Sequence, residues 1–199
     1  MFCELLFVTG FHHSGTTIMQ HTLLRSFNVS FSSRVPEMIP GCNCCALPVY
    51  KWPVTNMHTG PYSVETVWPK IKNKRQIVVM HRPAEEVLWS IFKRDLHLDD
   101  STTNYFRFRK WAATELKQYC AVEAFFKNQM VRIIEFADFV DNPKRVVESL
   151  GLPYIEGGND ARSMPQSKNH AKRRQWQSQH SIYQPNDVPA EVKAMGLAC

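Results

Sequence analysis

A short apolar run, Leu5 to Thr9, stops at Gly10 and is followed by Gly10-Phe11-His12-His13-Ser14-Gly15-Thr16-Thr17. After it, Ile18, Leu23, Leu24 and Phe27 recur at helical spacing, so the segment reads as strand, glycine loop, helix. Such a loop aims backbone N–H groups and the positive end of a helix dipole at one point, which suits an anion. Two glycines separated by four residues is the spacing of a phosphate loop. In nucleoside triphosphatases a lysine follows the second glycine and a carboxylate ending a later strand helps to hold magnesium. Here Thr16 takes the lysine position and the strand Gln76 to Met80 runs into His81-Arg82, so magnesium-dependent phosphoryl transfer is disfavoured and no metal is expected.

The rest of the chain alternates in the same way. Extended stretches are expected near Asn28 to Ser32 and Leu47 to Trp52, and Gln76 to Met80 reads as a buried strand. His81-Arg82-Pro83 breaks that strand, and Pro83 suits the first turn of a helix to about Asp95. A long aromatic helix from Asp99 to about Lys127 places Tyr105, Phe108, Trp111, Ala112, Leu116 and Tyr119 at three- and four-residue steps, a core-packing pattern. Val131 to Glu135 reads as a strand, and Asn142-Pro143 opens a helix ending at Gly151. Strands alternating with helices imply an α/β fold: a central, mainly parallel sheet flanked by helices in three layers. With 199 residues and no internal repeat, the chain is expected to form one domain, residues 1–199, with a core over about 5–155.

Charge narrows the partners. The net charge of +6 favours an anion, and basic residues gather over about 160–180, including Lys168, Lys172, Arg173 and Arg174. A solvated basic loop explains that patch without nucleic acid, so no nucleic-acid partner is expected. No run of eighteen apolar residues occurs, and the opening Met1 to Val8 carries an acid and lacks the basic flank of a leader, so a cytoplasmic protein without a membrane span is expected. The six cysteines, Cys3, Cys42, Cys44, Cys45, Cys120 and Cys199, have no second cluster at metal-ligand spacing and read as plain thiols.

Arg82 and Ser90 form a second constellation. Arg82 follows the carboxyl end of a parallel strand, where open α/β sheets bind ligands, and Ser90 lies on the second turn of the next helix. The two could converge on one phosphate, the arginine as a fork and the serine as a donor.

With these residues together, the chain resembles the sulfotransferases that use 3′-phosphoadenosine 5′-phosphosulfate, PAPS, a family with a P-loop-like fold. The resemblance runs from Leu6 to about Pro153 and includes Phe136-Ala137-Asp138-Phe139, Asn142-Pro143 and Leu150-Gly151-Leu152-Pro153. It implies that Ser14, Gly15, Thr16 and Thr17 hold the 5′-phosphosulfate, with His12 and His13 beside them, and that Arg82 and Ser90 hold the 3′-phosphate. Phe136 stands where the family has a tyrosine near adenine, and Lys172, Arg173 and Arg174 fall in a basic loop that closes over the nucleotide. His13 replaces the usual lysine or arginine, so its charge depends on pH.

The implied reaction moves a sulfuryl group from PAPS to a hydroxyl or amine of a small-molecule or saccharide acceptor and releases 3′,5′-ADP. Lys51, in Tyr50-Lys51-Trp52-Pro53, resembles the lysine that stabilises the leaving phosphate, with His13 assisting. For the base, Glu37 comes first, His58 second and His12 third. Met57, Trp52, Tyr62 and Trp68 either line an acceptor pocket or cover the sheet. The competing readings are a nucleotide-binding module without turnover and an atypical small-molecule kinase.

Overall fold

Five consecutive buried residues, Leu6–Gly10, form β1, one of the two inner strands of the described sheet. The computed structural model describes residues 6–27, 48–73, 76–96, 102–155 and 188–199. Within them the elements run β1, α1 (Thr16–Arg25), β2 (Val49–Lys51), α2 (Val64–Ile71), β3 (Ile77–His81), α3 (Ala84–Leu96), α4 (Thr102–Lys127), β4 (Arg132–Glu135), α5 (Phe136–Asp141), α6 (Pro143–Ser149) and α7 (Ala190–Lys193). The four strands pair in the order β2-β1-β3-β4, and every pairing is parallel. The α/β architecture with a parallel sheet is therefore as expected, while the stretch Asn28 to Ser32 lies outside the described residues.

Strand side chains alternate between two apolar layers, because successive residues of a strand face opposite sides of the sheet. Phe7, Tyr50, Ile77 and Val79 pack with Val64, Val67 and Ile71 of α2 and with Tyr119, Val122 and Phe126 of α4. Leu6, Val8, Val49, Val78, Met80 and Ile134 pack on the other side with Met19, Leu23 and Leu24 of α1 and with residues of α5 and α6. Helices thus cover both faces, which explains why the strands read as continuous apolar runs.

Local signals place most helix ends. Asn142 caps α6, its side chain accepting from the Arg145 N–H at 2.9 Å, and Pro143 occupies the first turn. The helix α2 was not among the expected elements, and it forms with Pro69 inside it. Its formation rests on Ser63, whose hydroxyl accepts from the Thr66 N–H, and on the burial of Val64, Val67 and Ile71. Burial also decides between the two roles weighed for the linker aromatics. Trp52 is 1% exposed, and Trp68 stands edge-on to Phe125 and Phe126, so both cover the sheet.

The carboxyl-terminal segment returns to a third apolar group. Val188 and Val192 join Leu88, Trp89 and Phe92 of α3 and Phe108 and Ala112 of α4. That return brings Cys199 to Cys120 on α4, and the two form a disulfide with 5.3 Å between their Cα atoms. The reading of all six cysteines as thiols is thus corrected at these two. A pair 79 residues apart carries no local signature, and only packing of the segment on α3 and α4 brings it together. Cys3, Cys42, Cys44 and Cys45 lie outside the described residues.

Candidate functional site

The topology opens a crevice at the carboxyl ends of β1 and β3. These strands are neighbours, yet the helix after β1 packs on one face of the sheet while Ala84 and Val87 of α3 pack on the other. Connections that part to opposite faces leave a cleft between them, the usual ligand position in an open parallel sheet.

The loop after β1 is shaped by three positive φ angles: 139° at Gly10, 68° at His13 and 99° at Gly15. Gly10 is pressed against β3, and a Cβ there would stand 2.4 Å from the Met80 carbonyl oxygen. Gly15 caps α1 in the left-handed conformation, with no side-chain hydrogen bond to the helix end. A Cβ at Gly15 would meet the Phe136 ring at 2.4 Å. Both glycines are therefore required by close approach as well as by φ. The Ser14 hydroxyl is buried beside Gly10 and has no hydrogen-bond partner among the described residues.

The segment after β2 runs alongside this loop. Trp52 N–H donates to the Val8 carbonyl, Val54 N–H to Gly10, and His12 N–H to Val54, at 2.8–2.9 Å. That register carries Lys51 to the first turn of α1, where its Nζ donates to Thr17 Oγ1 at 2.8 Å. His21, one turn further along α1, is pushed down to about 4 by burial and by the charges of Lys51 and Arg25.

From the other side come β3 and α3. His13 Nδ1 and Ser90 Oγ hydrogen-bond at 2.9 Å, which ties the loop to the second turn of α3. Arg82 is buried, its guanidinium carbon 4.5 Å from the centre of the Phe136 ring and its Nε–H donating to Glu86 Oε2 at 2.7 Å. The Arg82 carbonyl accepts from the Tyr119 hydroxyl at 2.5 Å. Phe136 thus lies between Gly15 and Arg82, joining the two halves of the crevice.

No protein-family model matches the chain, and no curated protein matches it significantly.

The sequence-derived candidates divide accordingly. Lys51 meets Thr17, His13 meets Ser90, and Phe136 meets both Gly15 and Arg82, while Ser14 is buried in the loop and Thr16 at the start of α1. His12 stacks on His13 with 4.4 Å between ring centres. His58 stands apart on an exposed turn, where its Nδ1–H donates to Glu65 Oε1 at 2.7 Å. Glu37, Lys172, Arg173 and Arg174 lie outside the described residues.

Glu86 and Tyr119 were not anticipated, nor was a cluster one residue before Arg82. His81 Nδ1–H donates to Glu135 at 2.6 Å and its Nε2 lies 3.4 Å from Glu123. Burial raises the Glu123 carboxyl above its usual range, more than the nearby His81 and Lys127 charges lower it. The only sequence signal for Glu86 was an acid in the first turn of a helix, which ordinarily reads as a helix-dipole partner.

Proposed function

We propose that this protein is a sulfotransferase of P-loop-like fold that takes its sulfuryl group from PAPS. The observation that carries the reading is the convergence of a glycine-capped helix start, Lys51, the His13–Ser90 pair and buried Arg82 on one crevice. A helix start with no side-chain cap offers main-chain donors to a phosphosulfate, and a buried guanidinium offers a fork to a second phosphate. The two features follow neighbouring strands, β1 and β3, and offer two anion positions, as a nucleotide phosphorylated at both the 5′ and the 3′ positions requires.

In this reading Ser14, Gly15, Thr16 and Thr17 hold the 5′-phosphosulfate, while Arg82 and Ser90 hold the 3′-phosphate. The acceptor oxygen or nitrogen forms a bond to sulfur as the bond from sulfur to the bridging oxygen breaks, and 3′,5′-ADP carries away the electron pair. Lys51 Nζ, already held at the first turn of α1, meets the charge that grows on the bridging oxygen. The acceptor proton passes to a base; of the three candidates, His12 stacks on His13 in the loop, His58 stands apart on an exposed turn paired with Glu65, and Glu37 lies outside the described residues.

Lysine-free chemistry at the second glycine and Arg82 in place of a strand-end carboxylate favour donor binding without magnesium. The cytoplasmic setting was expected from the character of the opening residues; the Cys120–Cys199 disulfide favours an oxidising compartment instead. Among the described residues no helix is long and apolar enough to cross a membrane.

Calorimetric titration with 3′,5′-ADP, with and without EDTA, tests the reading, followed by a PAPS turnover assay over saccharide, alcohol, phenol and amine acceptors. EDTA-insensitive binding and turnover on one acceptor class are expected. Absence of binding at millimolar nucleotide overturns the proposal. Binding without turnover reduces it to a nucleotide module, and magnesium-dependent ATP binding supports a kinase.

A further inference from the structure

Glu86 sits beside a site that attracts anions, and a carboxylate there costs affinity unless it contributes something else. Its geometry identifies the contribution. The Glu86 carboxylate engages Arg82 through Nε at 2.7 Å, along one edge of the guanidinium. Phe136 lies against the guanidinium face, and the Tyr119 hydroxyl holds the backbone carbonyl of the same residue. Arg82 is thereby held at its edge, its face and its main chain.

Glu86 and Ser90 are four residues apart on α3 and so share one face of that helix, a turn apart. One contact reaches Arg82 and the other reaches His13. A single rigid helix therefore sets the distance between the arginine that follows β3 and the loop that follows β1. An arginine side chain otherwise has many rotamers to lose on meeting a ligand, and prior fixing of its plane removes that cost.

We propose that Glu86 is a positioning residue that aims the Arg82 guanidinium at the 3′-phosphate and so sets the preference of the site for nucleotides carrying that group. The inference rests on the PAPS reading above. It concerns geometry, because the carboxylate charge by itself repels the ligand.

The test compares 3′,5′-ADP with 5′-AMP by calorimetry on the full chain, the ratio of dissociation constants being the readout. E86Q keeps the length and an accepting oxygen and should hold the wild-type ratio within about threefold, whereas E86A should lower it about tenfold or more. E86D keeps the charge but withdraws the carboxylate by one methylene, so it too should lose about tenfold. It also decides the matter if E86A fails to fold, with thermal melting as the check on folding. A wild-type ratio in E86D, or parallel weakening of both nucleotides, overturns the positioning role. A wild-type protein that binds 3′,5′-ADP no better than 5′-AMP takes down the 3′-phosphate assignment itself, before any variant is compared.

Discussion

The two halves of the crevice are built by opposite means. After β1 the chain uses glycines, positive φ angles and a helix start, so the donors are main-chain groups whose position is set by steric closeness. After β3 it uses a single long side chain held in place by Glu86, Phe136 and, through its carbonyl, Tyr119. The first half resists change because nothing larger than hydrogen fits at Gly10 or Gly15. The second half is open to change, since each support is a separate residue that can be removed singly. A main-chain site should thus fail by unfolding, and a side-chain site by loss of discrimination.

The largest effect expected on that contrast is at Gly10. In Gly10→Ala the new methyl meets the Met80 carbonyl and the backbone keeps an unfavourable φ, which together should cost about 4 kcal/mol, or roughly 10 °C in melting temperature. A melt within about 2 °C of wild type would show that the loop relaxes and that close packing does not govern it. Next, Arg82→Ala should weaken 3′,5′-ADP by about 100-fold while changing 5′-AMP by no more than about threefold. Equal losses for the two nucleotides would place Arg82 with the structural half. That variant also strands the buried Glu86, so a stability loss of about 3 kcal/mol should accompany it, measurable by urea unfolding.

Lys51 tests the seam between the halves. Lys51→Ala should lower kcat by about 30-fold and leave nucleotide affinity within about threefold, because the ammonium is asked to act on charge that develops during transfer. An unchanged rate removes it from the reaction.

The most gradual effect is a slope with pH. His21 has a folded-state value below its unfolded one, so the unfolded chain binds more protons between pH 6.5 and about 4. Stability from this residue is complete above that window and falls through it, by up to about 3 kcal/mol. His21→Gln should flatten the fall in urea titrations compared at pH 7 and pH 4.5. Glu123 has the opposite sign: its carboxyl is raised, so its contribution declines as pH rises above 4.5, the ordinary value.

How much of this was legible beforehand differs between the halves as well. The glycine loop declared itself, because left-handed turns and helix starts are local and depend on residues next to one another in the chain. Arg82 and Ser90 were found by the strand end before the arginine, by the place of the serine on the second turn of the next helix, and by the lysine-free glycine loop that they accompany. Two of their partners were not found: Glu86 resembled an ordinary first-turn acid and Tyr119 an ordinary core aromatic of α4, while Phe136 was placed near the adenine by resemblance and its position between Gly15 and Arg82 was not foreseen.

The amino-acid order alone determined where the glycine loop ends β1, where α1, α3 and α6 start, and that parallel strands would be covered on both faces, since these follow from periodicity and from the backbone freedom of glycine and proline. The tertiary structure alone decided that α1 and α3 part to opposite faces, that Lys51 reaches Thr17, and that Cys120 bonds Cys199. Each of those contacts joins residues tens of positions apart, and their meeting depends on strand order and helix packing, which no local pattern encodes.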